Sequence, residues 1–266
     1  MDKLQGVAHT LFIPLTARIF ASKVFPEYFY DPKALELEAH IPDDSIRRRS
    51  SQYALMASVA RYHNADAMVA AFMAAHGACN VIFIGAGLET IYYRLGPREA
   101  IFYEVDLPPV AEVRRAVLGE HHNDIIIAGD AFDLGWAARM DTSLPTLLVA
   151  LGVFQYFTVE RVGGFIRDIA GAFERAELIF DATNAAGLRF ANRYVKKTGN
   201  AHAHMDFYIN DGAAFTRETG TTLLEQRGFF AEARKILGPN LNLYTRIAMR
   251  VADGQRRTFL LHLKIK

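Results

Sequence analysis

Residues Val81 to Leu88 read V-I-F-I-G-A-G-L and run directly into E-T-I-Y-Y-R-L, residues 89 to 95. Four consecutive apolar residues fit a strand buried on both faces. The two glycines that follow let the backbone turn sharply into a helix, because no Cβ blocks the turn or a ligand approaching it. This is the first strand–turn–helix crossover of a nucleotide-binding sheet, with Gly85 and Gly87 placed against the ligand. Glycines here would also suit any tight strand-to-helix turn, so a second signal is needed.

That signal stands about 20 residues on, where an acid at the end of the next strand holds ribose hydroxyls. The strand I-F-Y-E-V ends at Asp106. Glu104, two residues earlier and on the same strand face, is the alternative. A dinucleotide and S-adenosylmethionine both present an adenosine to such a site. The third glycine of the dinucleotide fingerprint is replaced by Thr90, and Glu89 sets a carboxylate in the first helical turn, where a pyrophosphate would bind. A sulfonium and an ammonium tolerate that neighbour better than a pyrophosphate does, so S-adenosylmethionine is the expected cofactor.

Outward from this motif, Asn80 to Ile84, Ala100 to Val105, Asp124 to Ala128, Thr146 to Leu151 and Glu177 to Asp181 read as apolar strands. Between them lie helical stretches at Glu89 to Leu95, Pro109 to Leu118, Trp136 to Met140 and Thr158 to Phe173. Strand–helix alternation gives an α/β, doubly wound, mostly parallel sheet. Thr258 to Ile265 adds a C-terminal strand, expected antiparallel. Residues 1–76 carry Pro14, Pro26, Pro32 and Pro42, which cut the chain into short pieces, and then helical spacing from Tyr53 to His76. They are expected to form a helical cap on a core spanning residues 77–266. Beyond Asn184 the periodicity weakens: Arg189 to Tyr194 looks helical, and residues 185–220 read as an insertion lining an acceptor site.

The chain has 266 residues, 51% hydrophobic and 22% charged, with 30 basic against 29 acidic side chains. Such a balance attracts neither nucleic acid nor an anionic membrane, so a small-molecule partner is expected. One cysteine, Cys79, excludes an intramolecular disulfide or a thiolate metal cluster, and no window resembles a signal peptide or a spanning helix. The expected location is cytoplasmic. The run Arg47 to Arg49 reads as a solvated helix start, and His121 and His122 as solvated. Nothing indicates the oligomeric state.

The ordered motifs I-P-L-T-A-R (Ile13 to Arg18), D-P (Asp31, Pro32), G-A-G-L-E-T (Gly85 to Thr90), Y-R-L (Tyr93 to Leu95) and F-Y-E-V-D-L-P (Phe102 to Pro108) carry a resemblance. So do G-D (Gly129, Asp130), Trp136, L-P-T-L-L-V (Leu144 to Val149), G-V-F-Q-Y-F (Gly152 to Phe157) and I-F-D-A (Ile179 to Ala182). Over about residues 10 to 185 the chain resembles the leucine carboxyl methyltransferase superfamily, and within it the bacterial O-methyltransferases similar to the tetracenomycin polyketide enzyme. The resemblance implies a class I, Rossmann-like methyltransferase sheet and an S-adenosylmethionine-dependent O-methyltransferase acting on a carboxylate or hydroxyl of a small molecule, such as a polyketide-like product, or of a peptide. It implies that Arg18 and Arg61 meet the donor's carboxylate, that Gly85 forms the turn, that Asp106 holds the ribose, and that Asp130 and Ala131 flank the adenine. In one place the chain departs from the pattern. Leu151 stands where the family usually has an acid near the donor's amino group, a loss that either weakens cofactor binding or hands the contact to Gln155 or a backbone carbonyl.

A carboxylate acceptor is already ionised near neutral pH and needs no base, whereas a phenol or alcohol is helped by one. Candidates for an acceptor-side role are Tyr156, after the fourth strand, and His204 in A-H-A-H-M-D-F-Y, beside His202, Asp206 and Tyr208. No third ligand accompanies the two histidines, so no metal is expected. Tyr28, Phe29 and Tyr30 could line an apolar acceptor pocket or simply pack the cap. The competing functions are a methyltransferase-like binding protein that has lost catalysis, and an NAD-dependent oxidoreductase.

Overall fold

A computed structural model describes residues 8–41, 43–96, 99–197 and 204–266. The helices are α1 (Ala8–Val24), α2 (Pro32–Glu36), α3 (Ser45–Arg49), α4 (Gln52–His76), α5 (Ile91–Leu95), α6 (Pro108–Leu118), α7 (Val159–Ala172), α8 (Ala185–Lys197), α9 (Gly212–Thr219), α10 (Ala231–Leu237) and α11 (Leu243–Gly254). The strands are β1 (Asn80–Ile84), β2 (Ile101–Asp106), β3 (Asp124–Ala128), β4 (Thr146–Ala150), β5 (Ala176–Thr183), β6 (Thr222–Gly228) and β7 (Thr258–Lys264). They form one sheet in the order β3-β2-β1-β4-β5-β7-β6. The pairs among β1 to β5 are parallel, and β7 runs antiparallel to both β5 and β6.

The topology itself places a binding site. The chain winds outward from β1 to β2 and β3, then returns to the other side of β1 for β4 and β5. Loops at the carboxyl ends of β1 and β4 therefore diverge and leave a crevice between them. Every residue of β1 and β4 is buried. Because side chains alternate across a strand, Val81 and Phe83 join one core with Met56, Val59 and Phe72 of α4, while Ile82 and Ile84 join the other with Phe165 and Ile166 of α7. Each such side chain contributes about 1.5–3 kcal/mol through burial.

The long helix α4 starts where Ser51 accepts a hydrogen bond from Ala54 N (3.2 Å) and ends at Gly77, whose φ of 62° suits glycine. Twelve of its side chains are buried, a wider stripe than a surface helix carries, because α1 packs on it from outside. Among the described residues no helix is long and apolar enough to cross a membrane.

The five parallel strands and the antiparallel β7 fall where the periodicity places them, within a residue or two at their ends. Three expectations change. The helix after the glycine turn begins at Ile91 rather than Glu89, because Thr90 occupies its N-cap. Trp136 lies in a 3₁₀ turn, Leu134–Arg139, initiated by Asp133 accepting from Gly135 N (3.1 Å). The chain after Asn184 is far more regular than its polar composition suggests, with α8 to α11 and β6 all formed. Edge strand β6 carries a register shift between Leu223 and Glu225, which breaks the alternation a sequence pattern relies on.

Candidate active site

The glycine turn is held from two sides. Gly85 and Gly87 adopt φ of 64° and 52°, and a Cβ on Gly85 would lie 2.6 Å from Val153 Cγ2. Gly85 N and Ala86 N donate to Val105 O at 2.9 and 3.3 Å. Gly87 N donates to Asp106 Oδ2 and Leu107 N to Asp106 Oδ1, each at 2.7 Å. From the opposite side Arg114 of α6 donates to the carbonyls of Gly87 (3.2 Å) and Glu89 (2.7 Å). Its Nη2 lies 2.9 Å from Glu104 Oε1.

That geometry separates the two acids of β2. Glu104 has no exposed surface and is committed to Arg114, so it is not the residue facing a ligand. Burial pushes its carboxyl well up despite Arg114. Asp106 lies at the strand's end, half-buried, with its carboxylate raised to the level of the turn. Burial raises its pKa as well, while the Gly87 and Leu107 amides and Arg114 act against the shift.

Behind the turn lies a buried set of ion pairs. Arg94 of α5 donates from Nη1 to Asp31 Oδ2 (2.9 Å), from Nη2 to Glu89 Oε1 (2.8 Å), and from Nε and Nη2 to Asp66 (2.7 and 2.8 Å). Arg18 of α1 donates to Glu89 Oε1 (3.2 Å) and to Leu88 O (2.5 Å), with Nε 3.6 Å from Asp31 Oδ2. Thr90 Oγ1 donates to Asp31 Oδ2 at 2.6 Å. For Glu89 burial alone would raise the pKa, but Arg94, Arg18 and the Thr90 amide outweigh it and hold the carboxyl at about 2.

Glu89 is thus not a bare carboxylate in a first helical turn. Two guanidiniums neutralise it, and it precedes the helix. The simple repulsion between Glu89 and an anionic ligand is replaced by a structural role, tying α1 and α5 to the turn. Of this set, Arg18, Asp31, Glu89, Thr90 and Arg94 fall within the motifs quoted above and Asp66 does not; the pairing among them leaves no local spacing to read, because the network is spread over positions 18 to 94.

Between the turn, α1, α4 and the loop after β4 lies a cavity of about 340 Å³. Arg18, Arg61, Gly85, Gly87 and Tyr156 line it, as do Leu151 and Gln155. Arg61, projecting from α4, is fixed by Asp181 of β5: Nη1 lies 3.2 Å from Oδ2, and Asp181 Oδ1 accepts from Gly152 N at 2.5 Å. Gly152 has a φ of 75°, and a Cβ there would come within 2.8 Å of Arg61 Nη1. Arg61 Nε is buried without a hydrogen-bond partner. Burial would lower the Arg61 pKa, but Asp181 more than reverses this.

The other candidates lie around this cavity. Asp130 and Ala131 follow β3 on the same sheet edge, just beyond Ala128, the register partner of Asp106, and do not line the cavity. Asp130 is exposed and accepts from Phe132 N (2.9 Å). His204 is exposed, 3.5 Å from Asp206, and away from the cavity wall, which Met205 reaches instead. His202 lies outside the described residues. Tyr28 and Phe29 are packed into the core, Tyr28 stacking on His63 at 4.2 Å, and Tyr30 is exposed. None of the three lines the cavity, so the aromatic cluster is packing and surface. Among the described residues no group of three or more His, Cys, Asp or Glu is placed to hold a metal.

Comparison with known proteins agrees with this architecture. The family described as leucine carboxyl methyltransferase matches residues 8–170. The tetracenomycin polyketide synthesis O-methyltransferase TcmP of Streptomyces glaucescens is 25% identical over 200 residues, 74% of each chain. Leucine carboxyl methyltransferase 1 of Bos taurus is 24% identical over 155 residues, 45% of this chain and 47% of the bovine one. In fold, a DUF574 family protein from Streptomyces avermitilis superposes with a TM-score of 0.58 at 16% identity, covering 94% of this chain and 96% of that one. With a glycine turn, an acid-ended second strand and an arginine-lined crevice at the switch of strand order, and with the family match spanning more than half its length, the chain belongs to the leucine carboxyl methyltransferase family.

Proposed function

We propose that this chain transfers a methyl group from S-adenosylmethionine to an oxygen of a small-molecule acceptor, a carboxylate in preference to a hydroxyl. Arg61 carries the reading. A half-buried guanidinium at the cavity wall, oriented by Asp181 and keeping a buried, unpartnered Nε–H, suits the carboxylate of an amino-acid moiety. The rest of the crevice fits the same donor. Asp106 uses one lone pair on each oxygen for the turn and retains others for ribose hydroxyls. Asp130 and Ala131 stand further along the edge, where an adenine amine would find an acceptor.

When bound, S-adenosylmethionine supplies a methyl on a sulfonium: an acceptor oxygen forms the new C–O bond with its own electron pair, and the S–C pair returns to sulfur, leaving it neutral. The chain's residues bind and orient, and positioning of this kind accounts for much of such a rate. Among the described residues lining the cavity, Glu89 is the one carboxylate, and it is held by two arginines. Burial pushes the Tyr156 phenol up, so at neutral pH it serves as a hydrogen-bond donor and not as a base. An acceptor that arrives ionised needs no base, which favours a carboxylate.

Calorimetry with S-adenosylhomocysteine tests the donor site. Arg61→Ala is expected to weaken binding at least about tenfold, as loss of a charge-assisted hydrogen-bonding group does. No heat from the unaltered chain at millimolar ligand would overturn the proposal. Asp106→Ala is a poorer probe because it also unties the glycine turn. Leu151, apolar where the family usually has an acid, favours a second reading, a binding protein without turnover. Donor binding without S-adenosylhomocysteine production on any carboxylic acid or phenol would decide for it.

A further inference from the structure

A second cavity, of about 390 Å³, lies between α4, α8 and α11. It adjoins the first: Ala54 and Ala57 of α4 and Ala191 of α8 line both, so only methyl side chains stand at their common wall. Its lining is aromatic and aliphatic. Tyr53 meets Phe190 edge-on at 5.9 Å and Tyr244 at 6.4 Å, and Ile247 and Val251 complete the α11 side. Phe190, Tyr244 and Ile247 are 43%, 60% and 55% exposed, an unusual concentration of apolar surface around one cleft.

One charge stands in this lining. Arg257 precedes β7, whose Thr258 pairs with Thr183 at the carboxyl end of β5, the same sheet edge as the first cavity. Helix α8 comes close because Gly187 has no Cβ; one there would lie 2.2 Å from Arg257 O. Arg257 Nε donates to Gln255 Oε1 (2.9 Å), and Arg257 makes no ion pair among the described residues. Tyr53 and Thr258 stand with it in the lining. A cation in apolar surroundings is best satisfied by an anionic ligand group.

We infer that this second cavity receives the body of the methyl acceptor, an aromatic compound acidic at both ends, with one acid group passing the alanine wall to the donor cavity and the other paired with Arg257. The inference rests on the methyl-transfer reading for the first acid group. The volume is within the range of small-ligand sites, and a concave cleft that shares lining residues with the donor cavity suits a ligand better than a second copy of the chain.

The test is calorimetry of the full chain, with S-adenosylhomocysteine present, titrated with 2,6-naphthalenedicarboxylate and with 2-naphthoate. The diacid is expected to bind about tenfold tighter, the scale of one charge-assisted contact. Arg257→Gln should abolish that preference, and Ile247→Glu should abolish binding of both probes. S-adenosylhomocysteine affinity, measured on all three proteins, should be unchanged. Equal affinity for the two probes, a preference that survives Arg257→Gln, or unimpaired binding by Ile247→Glu overturns the inference while leaving the donor site intact. Absence of aromatic binding together with a dimer that Ile247→Glu converts to monomer also overturns it, in favour of a second copy covering the cleft. Loss of S-adenosylhomocysteine binding in the unaltered chain, with Arg257-dependent aromatic binding retained, would instead remove the donor reading and keep the aromatic site.

Discussion

At one end of the sheet's carboxyl edge, Arg18, Asp31, Asp66, Glu89 and Arg94 are joined in buried ion pairs. At the other end Phe190, Leu243, Tyr244 and Ile247 stand exposed, and Arg257 has no carboxylate partner among the described residues. The first region fixes atoms: Arg94 meets three carboxylates, Arg18, Asp31 and Glu89 each meet two partners and Asp66 meets one, at a desolvation cost that fixed geometry must offset. The second offers area with little direction, which tolerates varied shapes. The ion pairs brace the glycine turn, while the cleft between α4, α8 and α11 presents open apolar surface.

The comparison breaks most sharply at Arg94. Arg94→Ala leaves Asp31 and Glu89 with Arg18 as their remaining guanidinium and takes from Asp66 the one it pairs with, and a loss of roughly 3–5 kcal/mol is expected, read as denaturant midpoint. Tyr244→Ser, 60% exposed at the other end, should shift the same midpoint by no more than about 0.5 kcal/mol. Equal effects would show that the ion pairs do not hold the turn.

Acid sharpens the contrast next. Glu89 titrates at about 2 in the folded chain against an ordinary 4.5, so its contribution is complete above 4.5 and is lost as pH falls toward 2. The whole loss is on the order of 3 kcal/mol. Glu89→Gln should flatten the pH dependence of stability in that window. A slope that persists unchanged would assign it to other carboxylates.

Gly85→Ala carries a smaller penalty, about 1–2 kcal/mol for a left-handed residue, with the contact to Val153 in addition. The same variant should weaken S-adenosylhomocysteine binding. Smallest of all is His204→Ala, expected to leave both midpoint and methyl transfer unchanged, since the side chain is exposed and off the cavity wall. A large fall in turnover would restore His204 as a base and move the acceptor towards hydroxyls.

The same contrast explains what the sequence made legible. β1 to β5 and Asp106 could be read because a strand buried on both faces is continuously apolar and because a tight turn demands glycine at fixed places. Glu89 stands out in the sequence for its charge but its role does not, since the two arginines that neutralise it come from residues 18 and 94, and only folding brings them together. Glu104 and Asp106 share a strand face, yet the helix packed on that face takes one and the strand's end frees the other. Beyond residue 184 the cleft between α4, α8 and α11 is built from Phe190, Tyr244, Ile247 and Arg257, residue types that elsewhere would signal core or ordinary surface. Asp181 lay within a quoted motif, but its hold on Arg61 spans 120 positions.

Cys79 enters β1 with 1% of its surface exposed, and burial pushes its thiol up to about 11. Near neutral pH it therefore stays a protonated, shielded sulfhydryl, inert to maleimides. A cysteine introduced at the rim of the α8–α11 cleft would be the sole labelling handle on the native background, so a fluorophore could report ligand arrival there without any prior stripping of thiols.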